Sequence, residues 1–235
     1  MLINREQIAA NLASIRARIE AACLRSGRNA DEVRLLPVSK THPASVLREA
    51  YAADCMEFAE NRVQEAEQKA IELSDLADLR WCIIGHLQTN KARQVARFAH
   101  EFQALDSLKL AQELDRRLQA EGRSLDVLVQ VNSSGEPQKS GLDVADVPSF
   151  VQRLPQFNSL RVKGLMTLAE HSTEPERVRA CFVRMRELQQ RLRDGAPAGI
   201  SFDELSMGMS GDFELAIEEG STTVRIGQAI FGARH

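Results

Sequence analysis

Six lysines stand against 24 arginines in this 235-residue chain. One of the six, Lys40, sits where an amine can be put to chemical use. It ends the apolar run Val-Arg-Leu-Leu-Pro-Val-Ser and directly precedes Thr41-His42-Pro43. An amine fixed at a strand end and partly desolvated has a lowered pKa and can form a Schiff base with an aldehyde. The same position also suits a solvated lysine at a strand terminus. Of the others, Lys69 falls on a polar helix face, Lys91 and Lys109 at helix starts, Lys139 in a loop and Lys163 within a strand.

A second chemical feature lies near the C-terminus. The stretch Ser206-Met207-Gly208-Met209-Ser210-Gly211-Asp212 follows a strand and opens a helix, and Arg225-Ile226-Gly227-Gln228 does so again. Small residues let backbone amides approach an anion, and a helix start adds unpaired N–H groups and a positive dipole end. Ser and Gly are also ordinary capping residues, so turn chemistry alone accounts for them equally. A strand-end lysine facing a phosphate cradle points to an aldehyde-bearing phosphate, and pyridoxal 5′-phosphate (PLP) has that chemistry.

The elements that must position these groups alternate. Strands are expected at 33–39, 55–59, 80–84, 101–105, 125–131, 161–166, 202–205 and 222–226. Helices are expected at 43–53, 62–73, 89–98, 108–120, 144–154, 175–192 and 212–218, with a short one after Gly227. Leu125, Val127, Val129 and Val131 show the period-two pattern of a strand. Such alternation implies a parallel sheet with right-handed crossovers. Eight units fit an α/β fold of the closed (β/α)8, TIM-type barrel class, and a doubly wound open sheet is the alternative. An extra N-terminal helix within residues 1–27 is read from Ile8, Leu12, Ile15, Ile19 and Cys23 at spacings of four and three. Asn4 with Gln7 forms a capping box at its start and Gly27 a stop. No linker divides the chain, so residues 1–235 read as a single domain.

Composition excludes several classes. Thirty basic and 33 acidic residues give a net charge of −3, with no basic surplus for a nucleic-acid backbone. Aromatic residues are only 5%, too few for a base-stacking platform. No apolar run has the length of a membrane span, and no signal core is present. Cys23, Cys55, Cys82 and Cys181 lack metal spacing and read as buried thiols of a cytoplasmic protein. His86 and His100 have no carboxylate at metal-triad spacing, so no metal site is expected. Glu57, Glu60 and Glu65 read as a solvated face.

The motifs VSKTHP, FAENRVQE, IGHLQTNK, NSSGEPQKSG, KGLM, LSMGMSGD and STTVRIGQAIFGAR together resemble the pyridoxal phosphate homeostasis proteins. They run in order from residue 33 to the C-terminus. The resemblance implies a barrel like the N-terminal domain of alanine racemase, with PLP held as an imine on Lys40. By position, Ser210 and the amides of Met209, Gly227 and Gln228 hold the phosphate, with Ser206 assisting. Arg225 faces the pyridine nitrogen, and Asn61 and Met166 line the ring pocket. Lys139 matches a family lysine that takes up or hands on the aldehyde. The chain departs from the family at Ala59, where Gly is usual, and at Cys82-Ile83, where His-Phe is common.

Three functions follow: a PLP carrier serving PLP-dependent apo-enzymes, an amino-acid racemase, or a barrel binding another phosphate ligand. An arginine at the pyridine nitrogen donates a hydrogen bond but does not readily protonate the ring, which weakens it as an electron sink. Racemases of this fold take a second base from an added C-terminal domain and a partner subunit. No such domain is read here, and the sole tyrosine, Tyr51, falls in the first barrel helix. The expectation is a monomeric binding protein with no catalytic residues.

Overall fold

The computed structural model describes residues 3–232. The first residues of the expected N-terminal helix, and Ala233-Arg234 of the last family motif, lie outside them. Nine strands form one all-parallel sheet: β1 Arg34–Pro37, β2 Glu57–Glu60, β3 Arg80–Ile83, β4 Glu101–Leu105, β5 Leu125–Asn132, β6 Leu142–Asp143, β7 Leu160–Met166, β8 Glu204–Met209 and β9 Thr223–Ile226. Eight run in the order β1-β9-β8-β7-β5-β4-β3-β2, and β6 pairs with the end of β5 outside that path. The ring closes between β1 and β2 through the bridge Val38–Ala59, with Ser39 N–H donating to Ala59 O at 3.0 Å. The result is a nearly closed (β/α)8 barrel, the expected architecture.

Its helices are α1 Arg5–Arg25, α2 Ala44–Tyr51, α3 Val63–Glu72, α4 Ala92–Phe98, α5 Leu108–Ala120, α6 Val147–Val151, α7 Pro175–Asp194, α8 Phe213–Glu218 and α9 Gln228–Phe231. α1 starts where local chemistry says it should. Asn4 Oδ1 accepts from Gln7 N–H at 3.0 Å, and Gln7 Oε1 accepts from Asn4 N–H at 3.2 Å. Ile8, Leu12, Ile15, Ile19 and Cys23 are buried, facing a cluster from α2, α8 and α9. Each such aliphatic side chain stabilises by roughly 1.5–3 kcal/mol, as an upper estimate. Asn11 Nδ2 ties α1 to the last helix through Ile230 O at 2.8 Å. Gly27 stops it with φ +68°.

Several elements depart from expectation. The helix expected at 144–154 is the single turn α6 followed by a 3-10 turn at Leu154–Gln156, because Pro148 and Pro155 limit propagation. Pro43 caps α2 from outside instead of occupying its first turn. The strand expected at 202–205 continues through Ser206–Met209, which read as loop. Gly208 permits this with φ +95°. A Cβ there would meet Ala216 Cβ at 2.6 Å, so β8 lies close against α8.

The barrel interior is unusually polar. Arg34 pairs with Glu57 through two nitrogens, at 2.7 and 2.6 Å, and reaches Glu101 at 2.7 Å. Gln103 Nε2 donates to Glu101, and Gln103 Oε1 accepts from Ser206 Oγ at 2.7 Å. Ser206 Oγ accepts from Arg225 at 2.6 Å. A continuous hydrogen-bonded chain therefore runs from one mouth of the barrel to the other.

Candidate functional site

The C-terminal ends of the strands surround a cleft of about 460 Å³. Parallel barrels place function at this end because the βα loops converge there. Lys40, just beyond β1, lines one wall, with Asn61 after β2. Met209, Ser210 and Gly211 line another, and Arg225, Gly227 and Gln228 complete that side. Seven of the nine site residues expected from sequence are thus gathered around one space. The other two lie deeper. Met166 is fully buried in β7, paired in register with Gln130 and Ser206, and does not line the cleft. Ser206 is fully buried beneath Arg225 and also does not line it.

The cleft is electrostatically one-sided. Lys40, Lys139 and Arg225 line it, and no Asp or Glu does so among the described residues. In a chain of net charge −3 that is a local concentration of positive charge, with Lys139 partly balanced by Glu136. Arg225 is only 2% exposed. Its guanidinium donates to Ser206 Oγ at 2.6 Å and to Thr167 O at 2.7 Å. Burial lowers its pKa to about 10, against the opposing field of Asp212, so it stays cationic at neutral pH. Asp212 is itself shifted up by burial, and its Oδ1 accepts Met209 N–H at 2.6 Å.

The turn at Ser210-Gly211 and the step Gly227-Gln228 open α8 and α9. The first N–H groups of each helix have no partner within it. A Cβ at Gly227 would lie 3.0 Å from Val38 O, so any larger residue would require β1 to shift by a few tenths of an ångström. Gly85 is tighter still: a Cβ there would stand 2.1 Å from the carbonyl oxygen of Asn61. Gln130, 4% exposed, lines the cleft with a buried Oε1 that has no hydrogen-bond partner. Sequence reasoning missed Gln130. Its place in the alternation Leu128-Gln130-Asn132 at the end of β5 was the available signal.

The Lys139 loop is anchored rather than loose. Asn132 side-chain atoms bond Glu136 O, Ser134 and Gly135 N–H at 2.8, 3.0 and 3.1 Å. Lys139 pairs with Glu136 and donates to Ala169 O at 3.0 Å. His86, at the rim, stands 3.8 Å from Asp106, whose carboxyl is pushed up by burial. No group of His, Cys, Asp and Glu suited to a metal appears among the described residues.

Behind Lys40 the structure corrects the sequence reading. Glu57, Glu60 and Glu65 are not one solvated face, and Lys69 is not on an open polar one. Glu57 pairs with Arg34 inside the barrel. Glu60 is 0% exposed and Lys69 5%. Successive β2 side chains alternate faces. Glu60 lies on the face opposite Glu57 and Ala59, where Lys69 of α3 meets it at 2.6 Å. Burial raises the Glu60 carboxyl, opposed by Lys69. Glu65 feels burial too, but its hydrogen bonds from Lys69 and Thr41 N–H prevail and lower its pKa. Thr41 has φ +69°, a strained conformation for a β-branched residue.

Comparison with known proteins adds identity to this geometry. The family model for the alanine racemase N-terminal domain matches residues 3–235. The pyridoxal phosphate homeostasis protein of Pseudomonas aeruginosa is 45% identical over 227 residues, covering 97% of this chain and 96% of that protein. The Escherichia coli protein of the same name is 41% identical over 234 residues, covering 97% of each. The solved structure of PipY from Synechococcus elongatus with PLP bound superposes with a TM-score of 0.85 at 40% identity, covering 96% of this chain and all of that one. Likeness of this extent over nearly the whole length shows that the chain belongs to the pyridoxal phosphate homeostasis protein family, built on the alanine racemase N-terminal domain.

Proposed function

We propose that this protein binds PLP in the cleft, through Lys40, and serves to hold, buffer and hand on the cofactor to PLP-dependent apo-enzymes without turning over amino acids. The observation that carries the reading is the cationic, carboxylate-free cleft with an amine on one wall and a glycine-serine cradle on the other. The space fits: about 460 Å³ is within the range of small-ligand sites. Gly227, which lets the chain leaving β9 run close against Val38 at the cleft wall, and the unpartnered Gln130 Oε1, an acceptor for a ligand hydroxyl, are the features a polar, phosphate-bearing ligand would use.

When bound, the cofactor supplies an aldehyde carbon and an electron-withdrawing ring. The rest is the work of this chain. Lys40 offers the amine. Ser210 Oγ and the N–H groups of Gly227 and Gln228 would receive the phosphate, whereas the Met209 N–H expected beside them is taken by Asp212 Oδ1 at 2.6 Å. Arg225, held by Ser206 and Thr167, presents an N–H to the ring nitrogen and keeps its own proton. Asn61 lines the cleft beside Lys40, whereas Met166, buried in β7 across the barrel, sits next to Gln130 and Ser206. A ring nitrogen left unprotonated stabilises a carbanion poorly, so the site favours holding over turnover. The reading takes residues 1–235 as one domain, acting as a cytoplasmic monomer.

The test is a visible spectrum of purified protein with PLP, then borohydride reduction and peptide mapping. The adduct is expected on Lys40, and Lys40→Ala is expected to abolish it while keeping a cooperative melt. An adduct on Lys139 or Lys163 would overturn the assignment. Loaded protein is then mixed with L- and D-amino acids in deuterated water, and in parallel with a PLP-dependent apo-enzyme. Cofactor transfer without Cα proton exchange is expected; rapid Lys40-dependent exchange at ordinary enzymatic rates would mean an enzyme instead.

A further inference from the structure

We infer that Lys69 is a positioning residue for Lys40: with Glu60 and Glu65 it clamps the backbone on both sides of that lysine and so fixes the direction of its amine. The inference rests on the reading of Lys40 as the PLP-linked residue. The clamp itself is visible in the bonds. Lys69 Nζ donates to Ser39 O at 2.9 Å, Glu60 Oε1 at 2.6 Å and Glu65 Oε1 at 2.7 Å. Ser39 Oγ donates to the same Glu60 oxygen at 2.6 Å. Glu65 Oε1 accepts Thr41 N–H at 2.6 Å. Residues 39 and 41 are thereby both tied to one ammonium or to its carboxylate partners, and Lys40 lies between them.

A helix-stabilising ion pair would explain only part of this. The Lys69–Glu65 pair has the i,i+4 spacing found on exposed helix faces. Here, however, the lysine is 5% exposed, and two of its three bonds leave α3 for the strand ends. Burying a lysine with two carboxylates carries a desolvation cost, and Glu60 Oε2 remains buried without a partner. Replacing such a buried ion cluster by apolar residues is often neutral or stabilising, so stability alone does not explain it. What the polar cluster adds is a defined path for the chain. Thr41 is held at φ +69° inside the turn that His42 N–H closes onto Ser39 O, with its own N–H tied to Glu65. The backbone supplies a bridge to β2, Ser39 N–H to Ala59 O at 3.0 Å, and a turn bond from His42 N–H to Ser39 O at 3.1 Å, and the clamp adds side-chain ties to residues 39 and 41 of that turn. Lys69 has three rotatable donors, and all three are used.

The experiment compares wild type with Lys69→Met, Glu65→Gln and a control, Leu114→Ala. Leu114 is fully buried in α5, on strands remote from β1 in the barrel order. The control separates general destabilisation from local release. Glu65→Gln is a neutral isostere at a partly exposed site, and it carries the test if Lys69→Met does not fold. Amide hydrogen exchange at Thr41 is measured without PLP. It is expected to rise about tenfold or more in both clamp variants, with β5 amides unchanged. In PLP-loaded protein, release is expected to be about tenfold faster, and the visible circular dichroism of the bound cofactor, which reports its orientation, to change. Leu114→Ala is expected to lower the melting temperature without either effect. Unchanged Thr41 exchange, or changes no larger than in Leu114→Ala, overturn the inference. Should wild type take up no PLP, the functional reading fails by itself; the exchange measurement on ligand-free protein still decides whether Lys69 clamps residues 39–41.

Discussion

Arg225 and Ser206 share a 2.6 Å hydrogen bond at the floor of the cleft, and Ser206 in turn donates to Gln103. The orientation of the arginine therefore depends on residues that never reach the cleft. Gln103→Leu is expected to leave Ser206 and Glu101 each short of a partner. A buried group left unpaired costs about 1–3 kcal/mol, read from denaturant unfolding. A weaker PLP complex should accompany it, since Arg225 loses its fixed pose. Full stability in this variant would show that the interior chain is not needed to hold Arg225.

The phosphate cradle makes a separate prediction. Ser210→Ala removes one hydrogen bond to a charged group, worth roughly 1.5–3 kcal/mol of PLP affinity. Gly227→Val places branched carbon against Val38 O, which a bare Cβ would already meet at 3.0 Å. Equilibrium dialysis should show weakened binding in both. Retained affinity in the pair would move the phosphate elsewhere in the cleft.

Gly85→Ala tests how tightly the mouth of the barrel is assembled. Its new Cβ would meet Asn61 O at 2.1 Å, a backbone atom with no flexible end to yield. The β2 and β3 ends must separate, moving Asn61 in the cleft wall. The expected result is a lower melting temperature together with weaker PLP binding. If only stability falls, the position of Asn61 does not matter to the ligand.

Stability should also carry a specific pH signature at Glu204. Burial raises its carboxyl pKa, Glu101 adds to the shift and Arg34 opposes it. A carboxylate whose folded pKa exceeds its unfolded one favours the folded state while protonated. That contribution is present below the unfolded value and is lost as pH rises through the folded one. Glu204→Gln stays neutral throughout. The variant should therefore gain in melting temperature relative to wild type at pH 8, and the gain should vanish near pH 4. An equal difference at both pH values would exclude the burial explanation.

These residues differ in how readable they were. The start of α1 was legible because a capping box is local: Asn4 and Gln7 suffice. Lys40 was legible because the apolar run before it and Pro43 after it mark a strand end. The end of β8 was misread because Ser-Met-Gly-Met looks like a loop, and only the packing of Gly208 on α8 makes it strand. Lys69 was misread for a deeper reason. Its i,i+4 partner Glu65 is the pattern of a solvated helix, while the contacts that bury it come from Glu60, nine residues away, and Ser39, thirty away. Gln103 and Glu101 show the alternation of a strand face, but nothing local says that this face meets an arginine from β9.

The bridge between Val38 and Ala59 gives the barrel a seam, and the seam lies beside Lys40 and Asn61. Around most of the ring the spacing of neighbouring strands is dictated by a repeated backbone ladder, which every amino acid supplies alike. At the seam that ladder thins to one bridge and the Ser39–Ala59 hydrogen bond, and the side chains of Ser39, Glu60 and Lys69 contribute beside it. Heritable change can therefore act on this flank of the cleft through single substitutions, widening or narrowing it without redrawing the fold, whereas the cradle at Gly227 is locked to the main chain of β1. The two halves of the site are open to evolutionary adjustment on very different terms.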